Sequence, residues 1–289
     1  MLPRRTGPPG LLRAGGAMTA LVAAIGLGIG VLLGAFGAGG SIVAVPVFVY
    51  LLGYDVEQAI AMSLIVVGLA SVAGAARAWH AGHVRLRAAL QLGGVAMLGA
   101  YGGARLAPWV GDSMQMTVFA AAVLVAALLV LRPERRRAGA APGDEPSASS
   151  LVPSAPLALS ALGVGVITGL IGMGGGFLLV PALVSLARVP MATAAGTSLV
   201  VIAMNAAAAL AGYAGHVDPH WVVLAWLTGA AVAGVLLGSR LGRGIPQPVL
   251  RRAFAILLLL VGGFVLLQKR ILDPPDSAAP HLMAPPAHG

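Results

Sequence analysis

Long apolar stretches without a charged side chain alternate with short charged segments along the whole chain. A helix of about 17 to 25 residues crosses the hydrocarbon core of a bilayer. Eight uncharged stretches reach about this length or exceed it, at residues 14–54, 58–76, 88–104, 113–131, 146–187, 189–217, 219–239 and 253–268. The pattern predicts an all-α polytopic membrane protein with about eight transmembrane helices. It excludes a transmembrane β-barrel, whose strands alternate apolar and polar residues.

The composition points to the same class of protein. Of the 289 residues, 58% are hydrophobic and 9% are charged, whereas about 25% are charged in a typical soluble domain. A net charge of +9 would suggest nucleic-acid binding in a soluble chain. Here the cations cluster at the ends of the apolar stretches, where orientation signals and lipid contacts need them. We therefore expect the lipid bilayer as a partner and no nucleic acid.

One segment near the start of the chain recurs in its second part. GAFGAGGSIVAVP at 34–46 matches GLIGMGGGFLLVP at 169–181 at six of 13 positions, and the same offset aligns Ser63 with Ser198. Residues related by this offset are called equivalent positions below. The repeat predicts two homologous halves. The predicted boundaries are an N-terminal tail at 1–16, a first transmembrane repeat at 17–132, a polar linker at 133–155, a second transmembrane repeat at 156–270 and a disordered C-terminal tail at 271–289.

Each predicted half starts with an apolar stretch that is too long for one straight span and is interrupted by a glycine cluster and a proline. We predict a glycine-broken helix at this place, followed by three further helices. The predicted segments are 17–34, 41–52, 57–78, 86–107 and 114–131 in the first half, and 156–169, 176–187, 191–213, 220–241 and 249–268 in the second.

Two arrangements of the broken helices are compatible with the charges. If each broken helix makes one full crossing, both chain termini lie in the cytoplasm. If each is a re-entrant hairpin, each half crosses the membrane three times and the two halves are inverted. Either arrangement collects 12 of the 18 cations on one side, so the positive-inside rule leaves both open.

The two glycine clusters are the strongest candidates for a functional site. Non-helical backbone at membrane depth is tolerated where it is buried in protein or lines a water-filled cavity. In secondary transporters, the freed N–H groups at such breaks face an anion near the midplane. Close helix packing is the alternative role of glycine, and we predict that role for Gly26, Gly28, Gly30 and the glycines of 93–103.

Polar side chains close to the clusters add further candidates. Ser198 and Asn205 are two helical turns apart and therefore project from the same face of one predicted helix. They either hydrogen-bond an oxyanion or bond helices together, and Ser63 has the same two alternatives. The predicted substrate-binding residues are Gly37, Gly39, Gly40, Ser41, Pro46, Ser63, Gly172, Gly174, Gly175, Gly176, Pro181, Thr197, Ser198 and Asn205.

Charged side chains at the predicted helix ends have two roles open to them. Arg105 and Arg240 either extend to the lipid headgroups or attract anions to the pathway. His80 and His83 have the spacing of a metal pair but lack carboxylate or cysteine partners, so we interpret them as surface histidines. The chain contains no cysteine, which excludes thiolate ligands and disulfides. We expect no metal and no cofactor.

Several short motifs resemble one transporter family. The repeated element G-x-x-G-x-G-G-x-x-x-x-V-P, GTSL at 196–199, AGHV at 81–84 and 214–217, and GSRL at 238–241 are similar to those of the TauE/SafE sulfite exporter family, also called the 4-toluene sulfonate uptake permease (TSUP) family. The resemblance fits the second half better, since Ser41 stands where the second copy has Gly176 and AMSL stands at 61–64. It implies transport of small sulfur-containing anions, such as sulfite or sulfonates, across a bacterial inner membrane.

The acidic residues support an anionic substrate independently of this resemblance. All nine lie outside the eight apolar stretches, so the pathway lacks a buried carboxylate that would repel an anion, hold a metal cation or relay a proton. The sequence also lacks a P-loop for ATP. We therefore predict a secondary transporter of a small anion and no enzymatic activity. The alternatives are an intramembrane enzyme, with Ser198 and His216 as one candidate pair, and a non-transporting assembly subunit.

Overall fold

A computed structural model describes residues 15–131, 155–172, 191–213 and 221–272. Every regular element in these ranges is helical, which confirms the predicted all-α class. Six of the described helices are long and apolar enough to cross a membrane. The helices are α1 (Gly15–Phe36), α2 (Gly39–Pro46), α3 (Val56–His80), α4 (Leu86–Leu106), α5 (Asp112–Leu131), α6 (Ala155–Ile171), α7 (Met191–Tyr213), α8 (Trp221–Leu241) and α9 (Gln247–Leu272).

The predicted helix bounds lie close to the observed ones, and α7 has both predicted ends. The largest difference is at the end of α2, which stops at Pro46 rather than at the predicted position 52. At the end of α9 the helix continues to Leu272 rather than ending at the predicted position 268. The predicted segment 176–187 lies outside the described residues. Six candidate spans are fewer than the eight helices predicted, because α4 and the 17-residue α6 do not meet the same requirements of length and apolar character.

The first predicted glycine break separates α1 from α2. Gly37 has a φ of +75°, a left-handed conformation that favours glycine, and its N–H donates to the Leu33 carbonyl at 2.8 Å. Such a residue ends a helix. The chain then folds back, because Gly40 contacts Ile29 and Leu33 of α1, whereas a straight helix would separate Gly40 from Ile29 by about 16 Å. Thus α1 and α2 form a hairpin.

The end of α2 follows from its proline. Pro46 is its last residue and has no N–H to donate to the preceding turn. The chain continues as a π-helical turn at Val47–Leu51, in which the Leu52 N–H donates to the Val47 carbonyl at 3.0 Å. The irregular hydrogen bonding therefore extends over several residues after the glycine break.

Glycines bring two pairs of helices into backbone contact. In the first pair, Gly30 and Gly34 of α1 contact Ala231 and Val235 of α8. Residue numbers rise together along both helices, so α1 and α8 run parallel. The second pair, α4 and α6, is parallel for the same reason; its contacts are Gly165 with Ala96, Gly169 with Ala100, Gly99 with Leu162 and Gly103 with Val166.

These contacts test the predicted packing role of the glycines. Gly26 and Gly30 contact α8, and Gly93, Gly99 and Gly103 contact neighbouring helices, as predicted. The prediction was wrong for Gly28, because no atom in the described ranges lies within 4 Å of the place where its Cβ would be. It was wrong for Gly94 and Gly102 on the same ground. The spacing of glycines alone did not indicate which face of each helix is packed.

Two other pairs of helices run antiparallel. In α3 and α7, and again in α5 and α9, the contacting residue numbers rise along one helix as they fall along the other. The two members of each pair occupy equivalent positions in the sequence. The contacts are Gly68 with Ala206 and Gly74 with Leu199 for the first pair, and the Arg251 Nε donor with the Val130 carbonyl and Gly262 with Leu124 for the second.

Large apolar side chains cover much of the outer surface. Leu98 is 72% exposed, and Trp109 and Trp221 are exposed at helix ends, where tryptophan commonly lies at a membrane interface. This surface would be unfavourable in water but matches the interior of a bilayer. Together with the six apolar helices, it identifies a multi-pass membrane protein.

Candidate functional site

A cavity of about 360 Å³ opens between the ends of α1, α3, α7 and α8. It has room for a small anion with several waters, because one water occupies about 30 Å³. Its wall includes Gly34 from α1, Ala78 from α3, Ala195 from α7 and Ser239 from α8. Of the described residues that line it, none is acidic. The cavity therefore offers a negative ligand no carboxylate to repel it.

Two ionisable side chains, Arg77 and His83, stand in the cavity wall. Arg77 lies in the last turn of α3, and His83 follows the left-handed Gly82 in the loop to α4. Both are half-buried. Neither was among the predicted substrate-binding residues, none of which lines the cavity within the described part of the chain. His83 lies in a partly exposed loop, as predicted. The spacing of Gly74, Arg77 and Ala78 was an available signal, because it places all three on one face of a helix.

Next to the cavity wall, α7 meets the first glycine break. The Ser198 hydroxyl donates toward the Gly37 carbonyl at 3.0 Å and toward the Ala195 carbonyl at 2.8 Å. Gly37 cannot carry a side chain without a shift, since an added Cβ would lie 2.5 Å from the Ala195 Cα. The left-handed glycine is therefore held directly against α7.

An equivalent set of contacts occurs in the other half of the repeat. The Ser63 hydroxyl donates toward the Gly172 carbonyl at 3.0 Å and toward the Ile60 carbonyl at 2.8 Å. Gly172 has a φ of +76°, and an added Cβ would contact Ile60. Each serine thus binds the left-handed glycine of the other broken helix, which is the helix-bonding alternative considered for Ser63 and Ser198. Oxyanion binding by these hydroxyls remains a prediction.

The other predicted polar residues have different surroundings. The Ser41 hydroxyl donates to the Ala38 carbonyl at 2.7 Å. Thr197 donates to the Thr193 carbonyl at 2.7 Å and accepts the backbone N–H of Arg85 at 3.1 Å. Asn205 is fully buried. Of the predicted glycines and prolines, Gly39, Gly40 and Pro46 are buried in α2, whereas Gly174, Gly175, Gly176 and Pro181 lie outside the described residues.

The helix-end arginines singled out from the sequence are both exposed. The Arg105 guanidinium donates to the Tyr101 hydroxyl at 3.1 Å and lies over its ring. Arg240 lies in the last turn of α8. Within the described ranges, no three His, Cys, Asp or Glu side chains group together as metal ligands would. His216 and His220 lie outside these ranges.

Larger side chains occupy the positions equivalent to two residues of the cavity wall. Ala195 corresponds to Ile60, and Ala78 corresponds to Tyr213, and both larger side chains are buried. The Tyr213 hydroxyl donates toward the Leu170 carbonyl at 3.3 Å. Because Tyr213 follows Ala195 by five turns of helix, it lies about 27 Å away along α7. The space that is open at one end of the molecule is thus occupied by side chains at the other.

The two ends of the helices also differ in charge. The charged residues that are described at the end around the cavity are all basic. At the opposite helix ends lie three acidic residues, Asp55, Glu57 and Asp112, together with Arg105. The cavity therefore opens at the basic end. The described cations near it are Arg77, Arg85, Arg87, Arg240, Arg251 and Arg252.

Replacing Gly37 with alanine is expected to lower the free energy of unfolding by roughly 2 to 4 kcal/mol, from left-handed backbone strain and overpacking. Thermal unfolding of the detergent-solubilised protein measures the change. The matched control is Gly28→Ala, where no described atom lies within 4 Å; we expect unchanged stability or a gain of about 0.5 to 1 kcal/mol. Equal unfolding temperatures for the two variants would contradict the assigned contact.

Comparison with known proteins gives one family and several relatives. The family model described as "Sulfite exporter TauE/SafE" matches residues 22–265. A "Probable membrane transporter protein" of Xylella fastidiosa (strain Temecula1 / ATCC 700964) is 31% identical over 255 residues, which cover 85% of this chain and 95% of the relative. No solved structure matches the chain.

Two further relatives carry related names. The "Probable membrane transporter protein YdhB" of Bacillus subtilis (strain 168) is 24% identical over 239 residues, covering 83% of this chain and 96% of the relative. The "Probable inner membrane transporter protein TsaS" of Comamonas testosteroni is 41% identical over 66 residues, covering 22% of this chain and 28% of the relative. The similarity to the first of these, like that to the Xylella protein, extends over most of both chains.

Proposed function

Because the chain belongs to the TauE/SafE sulfite exporter family, we propose that it transports small sulfur-containing oxyanions, such as sulfite or sulfonates, across the bacterial inner membrane. Its membership makes it a probable membrane transporter. The sulfur-containing substrate is supported by the name of the family, and the inner membrane by the name of TsaS. The absence of a P-loop from the sequence favours a mechanism that does not hydrolyse ATP.

The cavity at the basic end is the observation that carries this proposal. An anion that leaves bulk water needs positive charge or hydrogen-bond donors to replace its hydration. The Arg77 guanidinium supplies that charge, and His83 and Ser239 supply further polar atoms in the same wall. A cation would meet repulsion from Arg77 and would find no carboxylate among the described lining residues. The geometry therefore suits a small anion.

We propose in addition that the two halves are inverted repeats. Antiparallel packing of α3 with α7 and of α5 with α9 supports this arrangement, as do the serine–glycine contacts that recur at equivalent positions of the two halves. The return of α2 along α1 favours the re-entrant alternative, in which each half crosses the membrane three times. By the positive-inside rule the basic end then faces the cytoplasm.

The cysteine-free sequence allows this orientation to be tested directly. A single cysteine at His80, at the basic end, should resist a membrane-impermeant maleimide in intact cells and react after the cells are opened. A single cysteine at Gly111, at the opposite helix ends, should react in intact cells. The reverse labelling pattern would overturn the proposed orientation.

The difference between the two ends supports alternating access as the transport mechanism. The cavity admits an anion at the basic end, while Ile60 and Tyr213 occupy the equivalent space at the other. A second state with the ends exchanged would release the anion on the opposite side. The serine–glycine contacts lie between these two regions, so their rearrangement would accompany the exchange.

Reconstitution into liposomes tests the proposed activity. We expect protein-dependent flux of labelled sulfite or of a small sulfonate, with labelled sulfate compared in parallel. Liposomes without protein are the first control, and Leu98→Ala, a change on the exposed surface, is the matched variant. Absence of protein-dependent flux for all three anions would overturn the proposed substrate class.

A further inference from the structure

Asn205 is a buried polar residue whose side-chain amide lacks a hydrogen-bond partner among the described residues. It lies within the candidate span Thr193–Tyr213 and is fully buried. Neither Oδ1 nor Nδ2 has a hydrogen-bond partner in the part of the chain that the structure describes. Burying an amide in this way is costly, and an unsatisfied amide at the centre of a membrane protein requires an explanation.

Asn205 lies farther along α7 than the residues of the cavity wall. Asn205 and Ser198 are two helical turns apart, so the two side chains share one face of α7. Ser198 is fully buried beside Gly37 and directly precedes Leu199, a residue of the cavity wall. Asn205 lies about 10 Å farther along the helix and deeper in the molecule. An anion moving from the cavity toward the middle of the bilayer would pass this level of α7.

A second unpartnered polar atom belongs to the same helix crossing. The Ser71 hydroxyl is fully buried and, within the described ranges, also lacks a hydrogen-bond partner. Ser71 lies between Gly68 and Gly74, the two glycines of α3 that contact α7. Two unsatisfied side chains thus occur where α3 and α7 cross, midway between the two serine–glycine contacts.

The chemistry of an amide restricts the ligand. An asparagine side chain presents an N–H donor and a carbonyl acceptor next to each other. A fully ionised oxyanion accepts hydrogen bonds only, so it would leave Oδ1 unsatisfied and place negative charge against it. A singly protonated oxyanion has both an acceptor oxygen and an O–H donor and satisfies both atoms. Its single charge is also less costly to desolvate than a double charge.

We propose that Asn205 binds the singly protonated form of the transported oxyanion, hydrogensulfite rather than sulfite, and that the anion itself carries the proton. This inference rests on the proposed function. It explains how a proton crosses a pathway whose described spans carry acidic residues only at helix starts, Glu57 in α3 and Asp112 in α5. At the far side, hydrogensulfite dissociates to sulfite and one proton, so the proton is released with the anion.

Flux as a function of external pH tests this inference in the reconstituted full chain. At constant total sulfite, we expect flux to follow the monoanion and to fall about tenfold per pH unit above the second pKa of the acid. Methanesulfonate, which has no O–H at these pH values, should show no such dependence. A trapped pH indicator should report acidification with sulfite entry and none with methanesulfonate. Protein-free liposomes correct for passive permeation of the neutral acid.

The Asn205→Ala variant tests whether Asn205 is the residue that binds hydrogensulfite. Alanine is expected to fit, because Ala70 occupies the equivalent position of the first half and is buried in α3. We expect hydrogensulfite flux to fall about tenfold or more, with methanesulfonate flux retained. Thr228→Val, which removes a buried hydroxyl of α8 that also lacks a hydrogen-bond partner among the described residues but lies outside this crossing, should leave both fluxes unchanged. Thermal unfolding of each variant verifies the fold.

The results separate this inference from the proposed function. If sulfite flux does not depend on the fraction of sulfite present as the monoanion, the inference is overturned, while anion transport is still supported. Equal loss of sulfite and methanesulfonate flux in Asn205→Ala would overturn it as well, since a general structural role predicts that result. Full sulfite flux in Asn205→Ala would exclude the residue. Absence of all flux in the unmodified protein would contradict the proposed function itself.

Discussion

Replacing Ala78 with tyrosine is expected to abolish transport without unfolding the protein. Ala78 lines the open cavity, and its equivalent in the second half is Tyr213, a buried side chain whose hydroxyl donates toward the Gly169 and Leu170 carbonyls. A tyrosine at position 78 would find the equivalent carbonyls of Gly34 and Ala35 in the cavity wall. We expect it to fill the cavity as Tyr213 fills the opposite end, and to reduce flux to below about a tenth of the normal value.

Two controls separate a blocked cavity from general damage. Ala78→Ser leaves the cavity open and should transport normally. His80→Tyr places the same side chain at a nearby exposed position and should also transport. Flux is measured in liposomes, and the unfolding temperature shows whether each variant folds. Normal flux in a folded Ala78→Tyr variant would show that the anion does not use this cavity.

Neutralising Arg77 is expected to weaken the apparent affinity for the anion. The guanidinium is the fixed positive charge in the described cavity wall, and losing one such attraction across about 10 Å at an effective dielectric of about 20 costs roughly 1 to 2 kcal/mol. Arg77→Gln should therefore raise KM by about tenfold. The effect should shrink as ionic strength rises, because salt screens the charge.

Comparison with two other substitutions makes this result specific. Arg77→Lys retains the charge and should keep most of the affinity. Arg240→Gln removes an exposed charge from α8 outside the cavity wall and should change KM little, since exposed charges are well screened. An equal rise in KM for Arg240→Gln and Arg77→Gln would indicate a general surface effect. No change in either would remove Arg77 from the pathway.

Much of the fold follows from the sequence because a bilayer imposes strong constraints on composition and length. The apolar stretches located the helices, and the first glycine cluster indicated the break at Gly37. The fold-back of α2 did not follow, because 12 of the 18 cations fall on one side in either arrangement. Resolving it required the contact of Gly40 with Ile29, which only tertiary structure supplies.

The sequence predicted site residues at the glycine breaks, but none of the predicted residues lies in the described cavity wall. The sequence indicated the left-handed glycines and the serines near them. It did not indicate that Ser198 binds Gly37 and that Ser63 binds Gly172, because a repeat does not reveal which half contacts which. Arg77 was grouped with other helix-end cations, since charge placement alone does not show which side chains face inward.

The parallel contact between α1 and α8 has a consequence for synthesis of the chain. Gly26 of α1 contacts Leu227 of α8, which the ribosome adds much later. At a translation rate of about 5 to 20 residues per second, Leu227 is synthesised roughly 10 to 40 s after Gly26. During that interval the glycine-rich side of α1 lies in the translocon or the lipid without α8 packed against it. The amino-terminal half therefore completes its packing only after translation has passed α8, so the two halves mature together rather than in succession.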